Sequence, residues 1–295
     1  MMFKIILPLV FCVSMAHAEP VITNKRSTKS HQLPNVTKHH AKKKTKRVTK
    51  SNKQYHRKTA SYSKVITTLP SSFIMLDAST HQPVLDHEAN VSRPMASLTK
   101  LMTAMVALDY DNNLSRVVGK RTREQMFGEL LVRSNNQIAE EFSRDYPGGR
   151  PAFLAAMNAK AQKLGMYNTH FDDPSGLLAT NTSNATDVAK MVSAAHDYEV
   201  IRRISTYIDL VNVNVKGKRV SVTKKPNTNH LILSHFKDAV HVSKTGFTSR
   251  AGFCVGLFLQ EQNKNYVVVV MGARNSKERF ERVSNLVNTA VKRSI

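Results

Sequence analysis

Residues 253–273, FCVGLFLQEQNKNYVVVVMGA, decide the fold, because they contain two apolar runs separated by a short polar segment. Runs of this length that are rich in Val, Phe and Leu are typical of buried strands. Cys254 lies inside the first run, where a free cysteine acts as a small apolar side chain; the alternative is a reactive thiol. We therefore predict two strands here and a buried Cys254.

Further strand patterns occur on both sides of a helical region. Residues 71–78 and 82–87 predict a hairpin, and residues 207–215, 218–223 and 239–247 continue the strand pattern. Helical periodicity covers residues 97–109, 122–133, 150–164 and 185–198, and a last helix is expected at 277–292. Strands at both ends with helices between them predict an α/β protein, in which one sheet joins early and late strands.

The first 18 residues, MMFKIILPLVFCVSMAHA, have the layout of a secretory signal peptide. One lysine precedes an apolar run, and small residues flank the expected cleavage site. The run is too short to span a bilayer as a helix, although an uncleaved signal anchor is the alternative. Removal of Cys12 with this segment leaves Cys254 without a disulfide partner. We expect an exported, periplasmic protein that is soluble or peripherally associated with the cell wall or membrane.

The net charge of +23 is concentrated near the start of the 295-residue chain. Between Pro20 and Met75 there are 14 Lys and Arg and no Asp or Glu, whereas the chain from Asp77 onward has 29 basic and 20 acidic residues. Such a segment repels itself and buries too little apolar surface to offset its ordering entropy. We predict a disordered basic arm at 19–69 and a folded domain at 70–295.

An anionic cell wall or membrane surface is the expected partner of this arm. Nucleic acid binding is physically allowed for so basic a segment, but export argues against it as a role in the cell. The histidines of the arm have no second cluster of ligands at a suitable spacing, so we expect no metal site.

Three short motifs point to chemistry. Ser97-Leu98-Thr99-Lys100 is followed by Ser134-Asn135-Asn136 and then by Lys244-Thr245-Gly246. A Ser-x-x-Lys arises by chance about once in a chain of this length, and a Lys-Thr-Gly in about one such chain in fifteen. The trio in this order is typical of serine β-lactamases and penicillin-binding proteins.

The first motif also has a direct physical interpretation. A serine hydroxyl is a poor nucleophile at neutral pH and needs a base beside it. Positions i and i+3 of a helix share a face, so Lys100 lies within reach of the Ser97 hydroxyl. A lysine can act as a base when its pKa is depressed, here by burial in an apolar helix and by a second cation, for which Lys244 is the candidate. We predict Ser97 as nucleophile and Lys100 as base.

The sequence resembles the penicillin-binding D-alanyl-D-alanine peptidases, especially the soluble D,D-endopeptidase branch of penicillin-binding protein 7. The resemblance covers about residues 70–290 and is strongest at residues 93–109, RPMASLTKLMTAMVALD, and 146–177, YPGGRPAFLAAMNAKAQKLGMYNTHFDDPSGL. Residues 109–121 are shortened relative to that branch, and the middle motif is Ser-Asn-Asn where Ser-Glu-Asn is common. The resemblance implies an antiparallel sheet with helices on both faces and a helical subdomain.

The resemblance also implies roles for the other motif residues. Ser134 relays a proton to the leaving amine, and Asn136 orients the substrate amide. The remaining residues contact the substrate: Lys244 and Thr245 bind its carboxylate, Gly246 lets it lie close to the strand, and the backbone N–H groups of Ser97 and Phe247 form an oxyanion hole.

The implied activity is that of a serine-type D-Ala-D-Ala endopeptidase and carboxypeptidase. It acts on peptidoglycan stem peptides through an acyl-serine intermediate, needs no cofactor, and is inhibited covalently by β-lactams. A β-lactamase is an alternative, but no loop equivalent to the one with the deacylating glutamate follows the middle motif. A catalytically silent wall-binding protein is another alternative, against which the intact Ser97, Lys100, Ser134 and Lys244 argue.

Overall fold

A computed structural model of the protein describes residues 71–216, 219–234, 236 and 238–293. The predicted signal peptide and basic arm lie outside these residues. Within the described part of the chain, no helix combines the length and the apolar character needed to cross a membrane.

The described residues form eleven strands, seven α-helices and two 3-10 turns. The strands are β1 Ser72–Asp77, β2 Pro83–His87, β3 Arg93–Pro94, β4 Val117–Val118, β5 Arg121–Thr122, β6 Thr182–Ser183, β7 Asp209–Lys216, β8 Arg219–Pro226, β9 Val240–Thr248, β10 Gly252–Glu261 and β11 Lys264–Ala273. The helices are α1 Thr99–Tyr110, α2 Arg123–Leu131, α3 Asn136–Asp145, α4 Gly149–Lys163, α5 Ala185–His196, α6 Glu199–Ser205 and α7 Ser276–Arg293, and the 3-10 turns are Ala96–Leu98 and His230–Leu233.

The central sheet is antiparallel and has the strand order β2-β1-β11-β10-β9. The predicted joining of early and late strands is confirmed, because β1 pairs directly with β11. The strands β7 and β8 lie outside this sheet and pair with each other in a two-stranded sheet. Their sequences alternate apolar and polar residues, a pattern typical of strands with one apolar face, whereas a strand covered on both faces needs a continuous apolar run.

Helices cover both faces of the sheet. Successive side chains of a strand point to opposite faces, so the Val-rich run of β11 divides its residues between two cores. Val267 and Val269 pack in the cluster that includes α1 and α5, and Val268 and Val270 pack against the apolar side of α7. The layered arrangement explains why a run of consecutive valines is fully buried.

The helical subdomain surrounds α1, whose residues are buried without interruption from Thr99 to Leu108. Arg123 at the start of α2 is completely buried, and its guanidinium donates to the Ala107 carbonyl at 2.6 Å and pairs with Asp145 at 3.2 Å. Because Asp145 is the last residue of α3, Arg123 connects α3 to the end of α1. The predicted helices are confirmed, and α3 and α6 are additional.

Candidate active site

Ser97 and Lys100 are in contact at the start of α1. Ser97 lies in the 3-10 turn that leads into the helix, and Lys100 Nζ is 2.8 Å from Ser97 Oγ. The three-residue spacing places both side chains on one face, as the sequence predicts. Ser97 is half-buried, whereas Lys100 is completely buried. The Ser97 hydroxyl is therefore partly accessible while the neighbouring Lys100 amine is shielded from water.

Lys100 has two further acceptors, each from a distant part of the chain. Its Nζ donates to Asn136 Oδ1 at 2.7 Å and to the Ser175 carbonyl oxygen at 2.6 Å. An ammonium group has three N–H donors, whereas a neutral amine has two and a lone pair. When Lys100 is neutral, its N–H groups remain directed at Asn136 and Ser175, and its lone pair faces the Ser97 hydroxyl. This arrangement orients the amine to accept the serine proton.

Burial lowers the pKa of Lys100 to about 7, and the carboxylate of Asp173 acts in the opposite direction. An ordinary lysine has a pKa of about 10.4, so Lys100 has a large neutral fraction at neutral pH. Both burial and Lys244 were expected from the sequence to lower this pKa, and in the structure burial is the principal cause. Burial also lowers the pKa of Lys244 well below its usual range, and the charges of Lys100 and Arg279 lower it further. Because repulsion is reciprocal, each lysine disfavours protonation of the other.

The strand β9 brings the third motif against the turn that contains Ser97. A Cβ added to Gly246 would lie 3.0 Å from the Ser97 nitrogen and 3.1 Å from Ala96 Cβ, so glycine permits the close approach of β9 to this turn. Lys244 is buried and donates to the Thr245 carbonyl at 2.8 Å, while Thr245 Oγ1 donates to Thr228 Oγ1 at 2.7 Å. The structure therefore places Gly246 beside Ser97, and Lys244 lies near enough to Lys100 for their charges to interact.

Two non-glycine residues with a left-handed backbone flank the functional side chains. Ala96 has a φ of 49° and Ser134 a φ of 58°. Such conformations cost of the order of 1 kcal/mol each and cluster at active sites. Ser134 precedes Asn135, whose side chain caps α3 by accepting from the Gln137 backbone N–H. The tight turn thus places Asn136 at the first position of α3, within reach of Lys100.

Residues 110–275 match peptidase family S11, described as D-alanyl-D-alanine carboxypeptidase. This chain belongs to that family. The matched residues include the second and third motifs and begin after Ser97 and Lys100. The chain is 33% identical over 237 residues to the D-alanyl-D-alanine endopeptidase of Escherichia coli K12, covering 73% of this chain and 75% of the relative. It is 32% identical over 237 residues to the D-alanyl-D-alanine endopeptidase of Haemophilus influenzae, covering 72% and 78%.

The fold of this family member is similar to that of the Streptomyces K15 DD-transpeptidase. The TM-score is 0.67 at 23% sequence identity, and the match covers 75% of this chain and 96% of the other. The predicted serine β-lactamase/DD-peptidase-like fold is therefore confirmed.

Two predictions about side chains near the third motif have different outcomes. Cys254 is fully buried opposite Gly246, and burial raises the pKa of its thiol to about 11, which confirms the apolar interpretation over a reactive thiol. Phe247 follows Gly246, the residue is 54% exposed, and its ring packs on Phe253 with 4.2 Å between ring centroids. The oxyanion role of its backbone N–H stays a prediction, as does the proton relay by Ser134.

Sequence reasoning missed the loop at residues 173–178 of this S11 peptidase. It supplies the Ser175 carbonyl to Lys100, and a Cβ on Gly176, whose φ is 79°, would overlap the Ala96 carbonyl oxygen. The only sequence signal was Asp-Pro-Ser-Gly, a typical turn composition, within the stretch 146–177 that resembles the family. A turn signal does not indicate which distant side chain the turn will contact.

Proposed function

We propose that this chain is a serine-type D-alanyl-D-alanine endopeptidase and carboxypeptidase that acts on peptidoglycan stem peptides. The observation that carries the proposal is the 2.8 Å contact between Lys100 Nζ and Ser97 Oγ, with the other two directions of the amine held by Asn136 and Ser175. Family membership and the endopeptidase names of the relatives support the substrate class and the cleavage of peptide cross-links.

Acylation follows from this geometry. Ser97 Oγ attacks the carbonyl carbon of a D-Ala residue, and its proton passes to Lys100 Nζ, which becomes an ammonium with three acceptors. The backbone N–H groups of Ser97 and Phe247 stabilise the oxyanion. The C–N bond then breaks, the leaving amine takes a proton through Ser134, and an acyl-Ser97 ester remains.

Deacylation reverses the roles of the reacting groups. Lys100 takes a proton from water, which attacks the ester carbonyl, and the serine alkoxide takes a proton as it leaves. In a β-lactam, the attacked C–N bond is part of a ring, so the amine remains tethered to the acyl group after ring opening. We propose that β-lactams therefore form a long-lived adduct on Ser97 and inhibit the enzyme.

A product analysis tests the assignment of activity. The purified protein is incubated with a cross-linked muropeptide dimer and, separately, with a pentapeptide ending in D-Ala-D-Ala, and products are separated by liquid chromatography and identified by mass. We expect the dimer to give two monomers and the pentapeptide to release free D-Ala. If neither the dimer nor the pentapeptide is cleaved, the proposed function is contradicted.

The pH dependence of acylation is the first prediction. Lys100 must be neutral to accept the serine proton, and its pKa is lowered by burial to about 7. The rate constant for acylation by a fluorescent penicillin should therefore rise with pH and level off above a midpoint near pH 7. An ordinary exposed lysine would place this midpoint at about 10.4. A midpoint at about pH 10.4 would contradict the proposal that a buried Lys100 with a lowered pKa is the base.

We propose that residues 1–18 are a signal peptide, residues 19–69 a basic arm and residues 70–295 the catalytic domain of a periplasmic protein. The arm carries 14 Lys and Arg between Pro20 and Met75 without an intervening acid. Each cation near an anionic surface contributes about 1 kcal/mol, screened over about 8–10 Å at physiological salt. The basic arm therefore favours binding to an anionic wall or membrane surface rather than to a small substrate.

Deletion of residues 19–69 should weaken co-sedimentation with isolated cell wall or with anionic vesicles, most at low salt. Release of D-Ala from the small pentapeptide should hardly change, because every proposed catalytic residue lies beyond Ser71. The matched control is the full-length chain at high salt, which should bind as weakly as the truncated chain. Equal binding of both chains at low salt would rule out this role for the arm.

A further inference from the structure

We propose that Asp173 is a positioning residue for the catalytic base. It holds the turn that carries the Ser175 carbonyl against Lys100, and its negative charge acts on the same amine. The inference rests on the proposed function, since it assigns Lys100 the role of base. Asp173 does not belong to any of the three motifs. Its carboxylate binds the loop, and the loop in turn contacts Lys100 through the Ser175 carbonyl.

The Asp173 carboxylate is the centre of residues 173–178. It is 3% exposed, and its Oδ1 accepts from the Ser175 backbone N–H at 2.6 Å, the Ser175 hydroxyl at 2.7 Å and the Gly176 N–H at 2.7 Å. Its Oδ2 accepts from the Leu178 N–H at 2.7 Å. A carboxylate that accepts several bonds from one short segment fixes the backbone of that segment. Asp173 thereby sets the direction of the Ser175 carbonyl.

The same loop is attached to the active-site helix from two sides. Thr103 on α1 donates its hydroxyl to the Pro174 carbonyl at 2.5 Å. Asn181 is completely buried, donates to the Asp173 carbonyl at 2.8 Å and to Thr99 Oγ1 at 3.2 Å, and accepts from the Asp173 N–H at 3.0 Å. The Ser175 carbonyl is therefore held in a rigid frame, 2.6 Å from Lys100 Nζ.

The position of this carbonyl matters because of how a neutral amine accepts a proton. Two acceptors must hold its two N–H groups for the lone pair to face Ser97, and one of them is the Ser175 carbonyl. Asn136 provides the other. If the turn shifts, the amine rotates and the lone pair loses its alignment. Small misplacements of reacting groups lower rates by up to about a hundredfold.

The charge of Asp173 acts separately from the position of the turn. Its attraction to the ammonium form raises the pKa of Lys100, against the larger effect of burial. The other charged groups on this side are Lys244 on β9, which repels Lys100, and Arg279 on α7, which faces Lys244. Removal of the Asp173 charge takes away the attraction that raises the pKa of Lys100, so the protonated form becomes less favourable.

The test compares acylation by a fluorescent penicillin across pH for the wild-type protein, Asp173→Asn and Asp173→Glu. Asp173→Asn keeps an acceptor oxygen in the turn but removes the charge and one acceptor. We expect its plateau rate to fall about tenfold to a hundredfold and its acid limb to move to lower pH. Asp173→Glu keeps the charge but displaces the carboxylate, so we expect a plateau about tenfold lower and a midpoint near that of wild type.

Asp187→Asn is the matched control. Asp187 is another buried carboxylate, 2% exposed, and it accepts from the Asn168 N–H at 2.8 Å and the Thr169 hydroxyl at 3.0 Å. Its substitution should lower thermal stability without moving the midpoint of the pH profile. Melting temperatures of all variants separate loss of fold from loss of function.

An Asp173→Asn profile with the midpoint of wild type would overturn the proposal, because a purely structural role changes only the height of the profile. If Asp173→Asn does not fold, Asp173→Glu decides, and a wild-type plateau for it is the contradicting result. The proposed function fails in a different way, namely if the wild-type protein itself is not acylated. The two failures are therefore distinguishable.

Discussion

The Ser97→Ala variant is expected to lose all covalent labelling by a fluorescent penicillin and to lose turnover of the muropeptide dimer by more than about 10⁴-fold. The hydroxyl of Ser97 is the group in contact with Lys100 Nζ, and no acyl-enzyme can form without it. The fold should remain, because Ser97 is only half-buried and alanine is compatible with the 3-10 turn. Labelling is measured by gel fluorescence, turnover by chromatography and folding by thermal melting.

Ser92→Ala is the control for this substitution. Ser92 is exposed and lies five residues before Ser97, so its replacement should leave labelling and turnover at wild-type levels. If Ser97→Ala is labelled as fast as wild type, then another residue is the nucleophile. Cys254 would be an unsuitable candidate, because it is fully buried and its thiol has a raised pKa.

The Lys100→Met variant should acylate about 10²–10⁴-fold more slowly than wild type, at all pH values where the protein is folded. Met retains the apolar stem that packs in α1 but removes the amine that accepts the Ser97 proton. It also leaves Asn136 Oδ1 and the Ser175 carbonyl without their donor, so some stability is lost as well. Stopped-flow acylation gives the rate, and the melting temperature gives the cost in stability.

Lys163→Met is the corresponding control, because Lys163 is exposed in the last turn of α4. It should acylate at the wild-type rate. The midpoint near pH 7 should also disappear from the profile of Lys100→Met, since the titrating group has been removed. A normal rate with the same midpoint in that variant would show that a different group takes the serine proton.

The sheet was predictable to the extent that local patterns determine it. The apolar runs of β10 and β11 predict strands with both faces covered, and the early hairpin is marked by its own turn residues. The pairing of β1 with β11 is a long-range contact. No local pattern predicts it, and it was expected only because a single sheet is the simplest arrangement of early and late strands. The separate pairing of β7 and β8 was not predictable, because alternation of apolar and polar residues does not specify which strand is the partner.

In the candidate active site too, local contacts were predictable and long-range contacts were not. The contact between Ser97 and Lys100 was predictable because the residues are three positions apart, and the 3-10 turn with Ser97 leads directly into the α-helix with Lys100. The contacts of Lys100 with Asn136 and Ser175 were not, because they join residues 36 and 75 positions apart, and no local rule relates such positions. Burial and a second cation were both expected to depress the pKa of Lys100, and burial is the principal cause in the structure. Its extent depends on the packed fold, which no local pattern determines.

The location of the β-lactam adduct tests the central claim most directly. Wild-type protein is incubated with benzylpenicillin, digested and sequenced by tandem mass spectrometry. The account predicts one stoichiometric penicilloyl group on Ser97, in the segment Met95-Ala96-Ser97-Leu98-Thr99-Lys100, formed at a rate that rises through about pH 7. An adduct on any other residue, or no adduct on a folded protein, would contradict it.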